Sequence, residues 1–569
     1  MNKGMLRELI SVARGNAPAD LLMTNARIIN TFTGDIEQAN VAIHRGTIAG
    51  IGDYQEGREI LDLRGNYLAP AFVDGHTHVE SSLLYINQYA RAVVPHGTAA
   101  IVTDLHEIAN VCGLHGARHI LTAAAGLPLD VFFMVPSCVP ATHLETSGAE
   151  ITADGINTAL HWKKTIGLGE IMNFPGLLNM DPDVLLKLAI ARGKLIDGHA
   201  PGLSGRDLNA YLAAGISSDH ESTSFEEARE KLDRGMWIMM REGSSEKNLA
   251  ALLPLVTDRT WHRCFFVVDD RSCLDLSRDG DIDAIVRKAI QLGLDPIRAI
   301  QMATINPAQY FRLERLGAVA PGYQANLIVF PHLAQLDIEL VFHKGKLVAQ
   351  DGSALFTEDT PVADALRNTV NMGQFGINAL RIPPARKDQP IIEIVPGQII
   401  TKKTKDEIKL RDGFVVADVE RDVLKLVVVE RHRATGNIGV GLVKGFGLKR
   451  GALASSIAHD SHNVVAVGVD DADIFAALRE IQRLQGGLVV AAEGKILASL
   501  ALPIAGLLSD EPLQTVVAKL EKLDVVASEL GCILDSPFST LSFLALPVIP
   551  ELRLTDIGLV DVQAFQLLT

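Results

Sequence analysis

Cysteine is scarce and unorganised in this chain: Cys112, Cys138, Cys264, Cys273 and Cys532 stand far apart, and no CxxC pair occurs. That spacing argues against a disulfide framework or a cysteine-ligated zinc site, and a reducing cytoplasm fits it. An excess of positive charge is missing as well. Lys plus Arg number 53 against 68 Asp plus Glu, a net charge of −15, which argues against a broad electrostatic footprint for nucleic acid or an anionic membrane. Long apolar runs are lacking. The most membrane-like stretch, residues 487–508, is interrupted by Glu493, Lys495 and Pro503, whereas a span needs about 20 continuous apolar residues. The N-terminal MNKGMLRELISVARG carries charges throughout and has no apolar signal-peptide core, so it reads as a short helix. Neither an internal repeat nor a low-complexity tract is present, and nothing resembles a Gly-rich nucleotide loop.

What is present is a long, ordinary globular composition: 569 residues, 48% hydrophobic, enough for two or three domains with sizeable cores. Residues 1–68 contain short apolar runs between Gly and Asn turns, the pattern of a small antiparallel β unit. The same pattern returns in 317–365, which predicts that the two pieces pair and close one discontinuous β-sandwich domain. Between them, 69–316 repeats apolar, often β-branched runs separated by helix-length stretches. Eight such runs can be counted: APAFVDGHTH, TAAIVTDLHE, LDVFFMVPS, KTIGLGE, KLIDGHAP, AGISSDHES, RGMWIMMREG and CFFVVDDR. Each ends in polar or ionisable residues, as the active face of a (β/α)8 TIM-type barrel would require. An open doubly wound sheet is the alternative that gives similar alternation. PPARKDQP marks a boundary, after which 390–569 mixes strands and helices as a C-terminal α/β domain.

Side chains alternate along a strand, so His76 and His78 face the same way and suit one divalent ion, with Zn, Mn and Fe equally compatible. HxH alone arises by chance. Here, however, the pair ends an apolar strand, and Glu170, His199, His220 and Asp269 fall at the ends of four more. Six ligands exceed what one ion needs. Glu170 could bridge two ions about 3.5–4 Å apart, whose bound water would ionise near neutrality. Asp269 could then take the proton of that water and return it to a leaving nitrogen. Glu170 alone could equally be a buried salt-bridge carboxylate, whereas Asp269 and Asp270 together would be unfavourable in a core without a cation. Glu107 is a candidate proton donor to a ring nitrogen, and His106 either touches substrate or supports a ligand. Glu80, Ser81 and Asp270 are candidate substrate contacts; Arg241 and Glu242 line the pocket or form a structural ion pair. For His459, Asp460 and His462 in HDSHN, the readings are metal binding, or a polar turn against the barrel mouth or another subunit.

AFVDGHTHVESS (71–82), ATINPAQYF (303–311) and GAVAPGYQANLIVF (317–330) resemble, in order, the first-strand metal motif, post-barrel helix and returning β segment of the amidohydrolase superfamily. More narrowly, TDLHEIANV, VPSCVPAT, GLGEIMNFPG, DGHAPGLSG, DHES, MMREGS, VVDDR, the 430–463 stretch and LPIAGLLSDEP are similar to the bacterial adenine deaminases. The resemblance covers nearly the whole chain. It implies a binuclear site of two divalent metal ions, Mn first with Fe or Zn as alternatives, held by His76, His78, Glu170, His199, His220 and Asp269. It further implies attack of metal-bound hydroxide on purine C6, turning adenine into hypoxanthine and ammonia, and a homo-oligomer, a homodimer by family habit. Many superfamily members bridge their metals with a carboxylated lysine; here the position is Glu170, and Lys163 and Lys164 lie upstream. One stretch departs from the family: after the acidic pair this chain reads DDRSC and later GDID, making Ser272, Cys273 and Asp281 unusual. That departure keeps a substituted purine, or a metal-binding protein without turnover, among the alternatives, and a cyclic amide or N-acyl hydrolase of the same superfamily is a further one.

Overall fold

The computed structural model describes residues 2–357, 360–384, 389–396 and 398–568. The boundary expected at PPARKDQP falls partly outside them, at 385–388.

Eight short parallel strands occur in chain order: β1 (Phe72–Asp74), β2 (Thr98–Thr103), β3 (Asp130–Val135), β4 (Thr165–Ile171), β5 (Leu195–Gly198), β6 (Ser218–Asp219), β7 (Trp237–Arg241) and β8 (Cys264–Val267). They coincide with the eight apolar runs. β1 to β5 form one parallel sheet and β6 to β8 another. Backbone hydrogen bonds join the two sheets into a ring. Ser217 N donates to Ile196 O at 3.1 Å on one side, and Asp269 N donates to His76 O at 3.0 Å on the other. The resulting TIM-type barrel is packed inside, with Val73, Val102, Met134, Met239, Phe265 and Val267 in one buried cluster.

The ATINPAQYF segment closes the bottom of this cluster. Tyr310 and Phe311 meet Phe265 at ring separations of 5.5 and 6.0 Å. Asn306 Nδ2 donates at 2.8 Å to the carbonyls of Trp261 and Cys264, tying the helix Ile305–Tyr310 to the start of β8. The motif is therefore a plug, and its polar residue satisfies backbone groups that burial would otherwise strand.

The N-terminal and returning β segments do meet in space. Leu327–Phe330 pairs antiparallel with Tyr67–Pro70 inside a nine-stranded sheet that runs from Ala19 to Ala354. The long strand Ala19–Ile29 shifts register between Met23 and Ala26, and the sheet folds over a core that includes Met23, Ile28, Val41, Leu68, Val329 and Phe342. The C-terminal part carries an eight-stranded sheet between Pro390 and Ala501, with the helices Asp471–Leu484 and Leu513–Glu529 packed against it.

That C-terminal part docks on the barrel mouth. Thr146 donates from N and Oγ1 to Asp556 at 2.9 and 2.7 Å, and Asn463 Nδ2 donates to Thr146 O at 2.8 Å. The carboxyl ends of the strands are thereby roofed by residues more than 300 positions away. Among the described residues no helix is long and apolar enough to cross a membrane.

Candidate metal centre and active site

Just past β1 the backbone stays paired across the ring, Thr77 N donating to Val102 O and His78 N to Asp269 O at 3.1 Å each. His76 and His78 therefore project to the same side, and both Nε2 atoms lie 3.2 Å from Oδ1 of Asp269, two residues beyond β8. Asp269 adopts φ 61°, a left-handed conformation that Asp tolerates. This turns its carboxylate inward while its backbone pairs with His76 and His78. Its other oxygen, Oδ2, accepts a hydrogen bond from Arg241 Nη1 at 2.8 Å.

Glu170 stands at the centre. Its Oε1 is 3.6 Å from His78 Nε2, while Oε2 is 2.7 Å from His199 Nδ1 and 3.3 Å from His220 Nε2. One carboxylate thus faces His78 and His106 with one oxygen and His199 and His220 with the other. The His76 and His220 rings stack at 4.1 Å, closing the shell. All six side chains expected from the sequence are brought together.

Burial makes this crowd meaningful. Glu170 is 3% exposed, yet despite the burial that opposes ionisation, His199 and His220 hold its carboxyl well below the usual range. Asp269 behaves likewise: burial opposes it, and His76, His78 and Arg241 outweigh that. Several nitrogens are left without a hydrogen-bond partner, among them His76 Nε2, His78 Nδ1 and His220 Nδ1. Buried imidazole nitrogens beside ionised carboxylates fit a divalent ion. Around this centre, four sets of side chains bring their ligand atoms within 4.8 Å of one another: His76, His78 and Asp269; His76, Glu170 and His220; His78, Asp104, His106 and Glu170; and His199, His220 and Glu221. A fifth, Glu107 with His459 and His462, lies at the barrel mouth.

The matches to known families bear on the same chain. A family described as the amidohydrolase family matches residues 67–348, and the adenine deaminase C-terminal domain matches 398–566. An adenine deaminase of Dehalococcoides mccartyi is 60% identical over 99% of both chains. Adenine deaminase 2 of Carboxydothermus hydrogenoformans is 50% identical over 98% of each, and an adenine deaminase of Kosmotoga olearia is 44% identical over 98% of this chain and 97% of its own. The chain belongs to the adenine deaminase family. It is a member built as a metal-dependent hydrolase, with possible ligands contributed from around the ring.

Other expected residues fall in different places. Ser81 Oγ lies between Asp270 Oδ1, to which it donates, and Glu107 Oε1 at 3.4 Å. Glu80 accepts from Ile108 N at 3.1 Å, which pins its carboxylate beside the first turn of the helix His106–Ala123. Glu242 is not brought to the cluster. It pairs with Lys288 and accepts from Leu249 N at 3.2 Å, because the strand alternation that turns Arg241 inward turns Glu242 outward. Lys164 pairs with Asp130 at 2.9 Å, at the far end of the barrel from Glu170.

Glu221 was not expected. It grips Arg241 with both oxygens, and its Oε1 lies 3.6 Å from His199 Nδ1 and 3.4 Å from His220 Nε2. Its signal was present in DHES, as the carboxylate next to a ligand-type histidine. The positions that depart from the family pattern have identifiable local roles, and Ser272 also lines the adjoining cavity. Ser272 caps the helix Cys273–Arg278, Cys273 is buried at 0% exposure, and Asp281 accepts a hydrogen bond from Thr98.

Proposed function

We propose that this chain hydrolyses adenine to hypoxanthine and ammonia, with Asp269 and Glu107 moving the protons. The observation that carries the reading is the Glu170 carboxylate set between two groups of imidazoles at the ends of the barrel strands, in a chain of the adenine deaminase family. His76, His78, Glu170, His199, His220 and Asp269 would hold two divalent ions, Mn first and Fe or Zn otherwise. Such ions supply Lewis acidity, lowering the pKa of a water to about 7.

The residues divide the remaining work. Water adds to purine C6, the C6 amino group leaves as ammonia, and each proton needs a carrier. Asp269, ionised between His76, His78 and Arg241, accepts the proton of the attacking water and passes it to the departing nitrogen. Glu107 has the opposite character. Burial first, and then the negative neighbours Glu80 and Asp270, push its carboxyl well above the usual range. That shift favours the protonated carboxyl, the form needed to protonate a ring nitrogen as electrons move out of the C6 bond.

A cavity of about 220 Å³ opens beside these groups, lined by Ser81, Glu107, Asp270, His459, Phe538 and Phe543 among others. Its polar lining groups together with the aromatic Phe538 and Phe543 suit a flat heteroaromatic base. Ser81 and Asp270 would orient that base, and Arg241 acts through Asp269.

The test is direct. Metal-stripped protein reloaded with Mn, Fe or Zn and given adenine is expected to release hypoxanthine and ammonia in equal amounts. No product at any loading would overturn the reading.

A further inference from the structure

The turn His459–Asn463 in the C-terminal part brings His459, Asp460 and His462 to the barrel mouth, where the proposed reaction leaves them unused. His459 Nδ1 lies 3.4 Å from Glu107 Oε1, and His462 Nε2 lies 3.9 Å from Glu107 Oε2. Asp460 Oδ1 is 3.9 Å from His106 Nε2. The turn is firmly set. Arg431 donates to the His462 carbonyl, His432 Nε2 meets Ser461 O at 2.8 Å, and the His459 ring stacks on Phe543 at 4.5 Å. His462 is 0% exposed.

Glu107, His459 and His462 are close enough together to hold a cation, but the hydrogen bonding of His462 points elsewhere. Ala458 N donates to His462 Nδ1 at 3.3 Å. A neutral imidazole that accepts at Nδ1 carries its proton on Nε2. The Nε2 facing Glu107 is then an N–H donor, whereas a metal ligand would need a lone pair there. It faces Glu107 Oε2 at 3.9 Å, beyond hydrogen-bond reach, and among the described residues this nitrogen has no hydrogen-bond partner.

We propose that His459 and His462, carried into the barrel mouth by the C-terminal part, are positioning residues that aim the Glu107 carboxyl and receive the carboxylate left after proton transfer. The inference rests on the reading of Glu107 as the acid for the purine ring. In the step, the Glu107 O–H bond breaks, an N–H bond forms on the ring nitrogen, and the electron pair stays on Glu107. The His462 Nε2–H then faces an anion, and a hydrogen bond to a charged acceptor is shorter and stronger than one to a neutral acid. The contact tightens as the proton leaves, so it favours the transition state over the bound substrate. The C-terminal part is thus a component of the catalytic site as well as its roof.

The experiment is a double-mutant cycle on the metal-loaded full chain, read as kcat and KM for adenine with metal content measured in every variant. Met and Gln have similar volumes and differ in the donor, so His462→Met and His462→Gln form the informative pair. His462→Met is expected to lower kcat about a hundredfold, as loss of one donor to a developing anion does elsewhere, with little change in KM. His462→Gln is expected to recover most of that loss. Glu107→Gln combined with His462→Met should be no slower than Glu107→Gln alone. Losses that multiply in the double variant, with Glu107→Gln itself slow, would overturn the positioning role and leave the acid role standing. Wild-type turnover in Glu107→Gln would overturn both. A further equivalent of Mn bound by the wild type and lost in His462→Met would replace positioning with a metal site. Should His462→Met not fold, the same cycle between His459→Leu and Glu107→Gln decides between the same outcomes.

Discussion

Arg241 Nη1 donates to Asp269 Oδ2 at 2.8 Å while Asp269 Oδ1 faces His76 and His78 at 3.2 Å each. The carboxylate is therefore held from both sides, one oxygen by a fixed cation and the other left to the metal face. The same guanidinium is gripped by Glu221, so its position is set by two carboxylates at once. Replacing Arg241 by Met leaves two buried acids without their cation and frees Asp269 to rotate. The expected outcome is a fall in kcat/KM of about a hundredfold, the scale of a misplaced reacting group. Steady-state ammonia release, normalised to bound metal, checks it; unchanged turnover would remove Arg241 from the site.

Gly75, between Asp74 and His76, has no room for a side chain. A Cβ there would meet Phe265 Cε2, with Phe311 Cε2 a further contact at 3.1 Å. Both rings belong to the packed barrel interior, so the neighbours give way only by moving β1. Gly75→Ala is expected to cost about 1–3 kcal/mol of stability, as overpacking of a core does. It should also lower the metal retained after dialysis, because His76 and His78 move with the backbone. Denaturant unfolding and elemental analysis measure the two effects separately.

Much of this site could be read from the chain because a strand obeys a two-residue period. Eight apolar runs ending in polar residues imply a barrel, and the period places His76 with His78 and Arg241 opposite Glu242. Applied strictly, the same rule would have turned Glu242 outward, toward Lys288, where it is found. Past β1 and β7 the backbone still pairs with its neighbours, through Thr77 N to Val102 O and Glu242 N to Val267 O, so alternation carries on there. Glu221 escaped for a physical reason: β6 ends at Asp219, and Glu221 lies two residues beyond it on a loop whose direction no strand period fixes. A polar turn against the barrel mouth was one reading of HDSHN and is where that turn lies, but its specific contact with Glu107 was beyond reach for another reason. It depends on how a separate sheet docks on the barrel, through contacts such as Thr146 to Asp556, and no local period encodes that.

Lys231 is buried completely, its ammonium held by Asp219 at 2.9 Å, Glu227 at 2.8 Å, Ser222 Oγ at 3.1 Å and Ala200 O at 2.7 Å. Asp219 in turn accepts from Ala200 N and Ser222 N, both at 3.0 Å. These bonds join the loops that carry His199 and His220. Lys231→Met is expected to destabilise the fold by about 3–5 kcal/mol, since removing one partner leaves a buried charge unpaired. Urea unfolding at pH 7 tests this, and a loss below about 1 kcal/mol would contradict it. Lys231→Arg should not rescue, because the planar guanidinium cannot replace a point charge with three diverging donors.

Asp130 offers a test at the opposite end of the barrel, where stability can be separated from chemistry. At the start of β3 its carboxylate meets Lys164 at 2.9 Å, Lys344 at 3.0 Å and His343 at 3.2 Å, so it ties the barrel to the returning β segment. Burial opposes ionisation, but His343 and Lys164 outweigh it and hold the carboxyl far below the usual range. A group whose folded pKa is depressed stabilises the fold above its unfolded pKa of about 3.9 and loses that contribution as pH falls toward the folded value. Both lysines are well exposed, so solvent screening reduces what the pairs contribute. Asp130→Asn is expected to lose about 1–2 kcal/mol at pH 7. The gap from wild type should persist down to about pH 5 and narrow below about pH 4. Denaturant unfolding of both proteins across that range measures it, and a gap that widened with acid would mean that the carboxyl is raised in the fold. Adenine turnover by Asp130→Asn at 25 °C should match the wild type, because the change lies at the amino ends of the strands while the chemistry lies at their carboxyl ends.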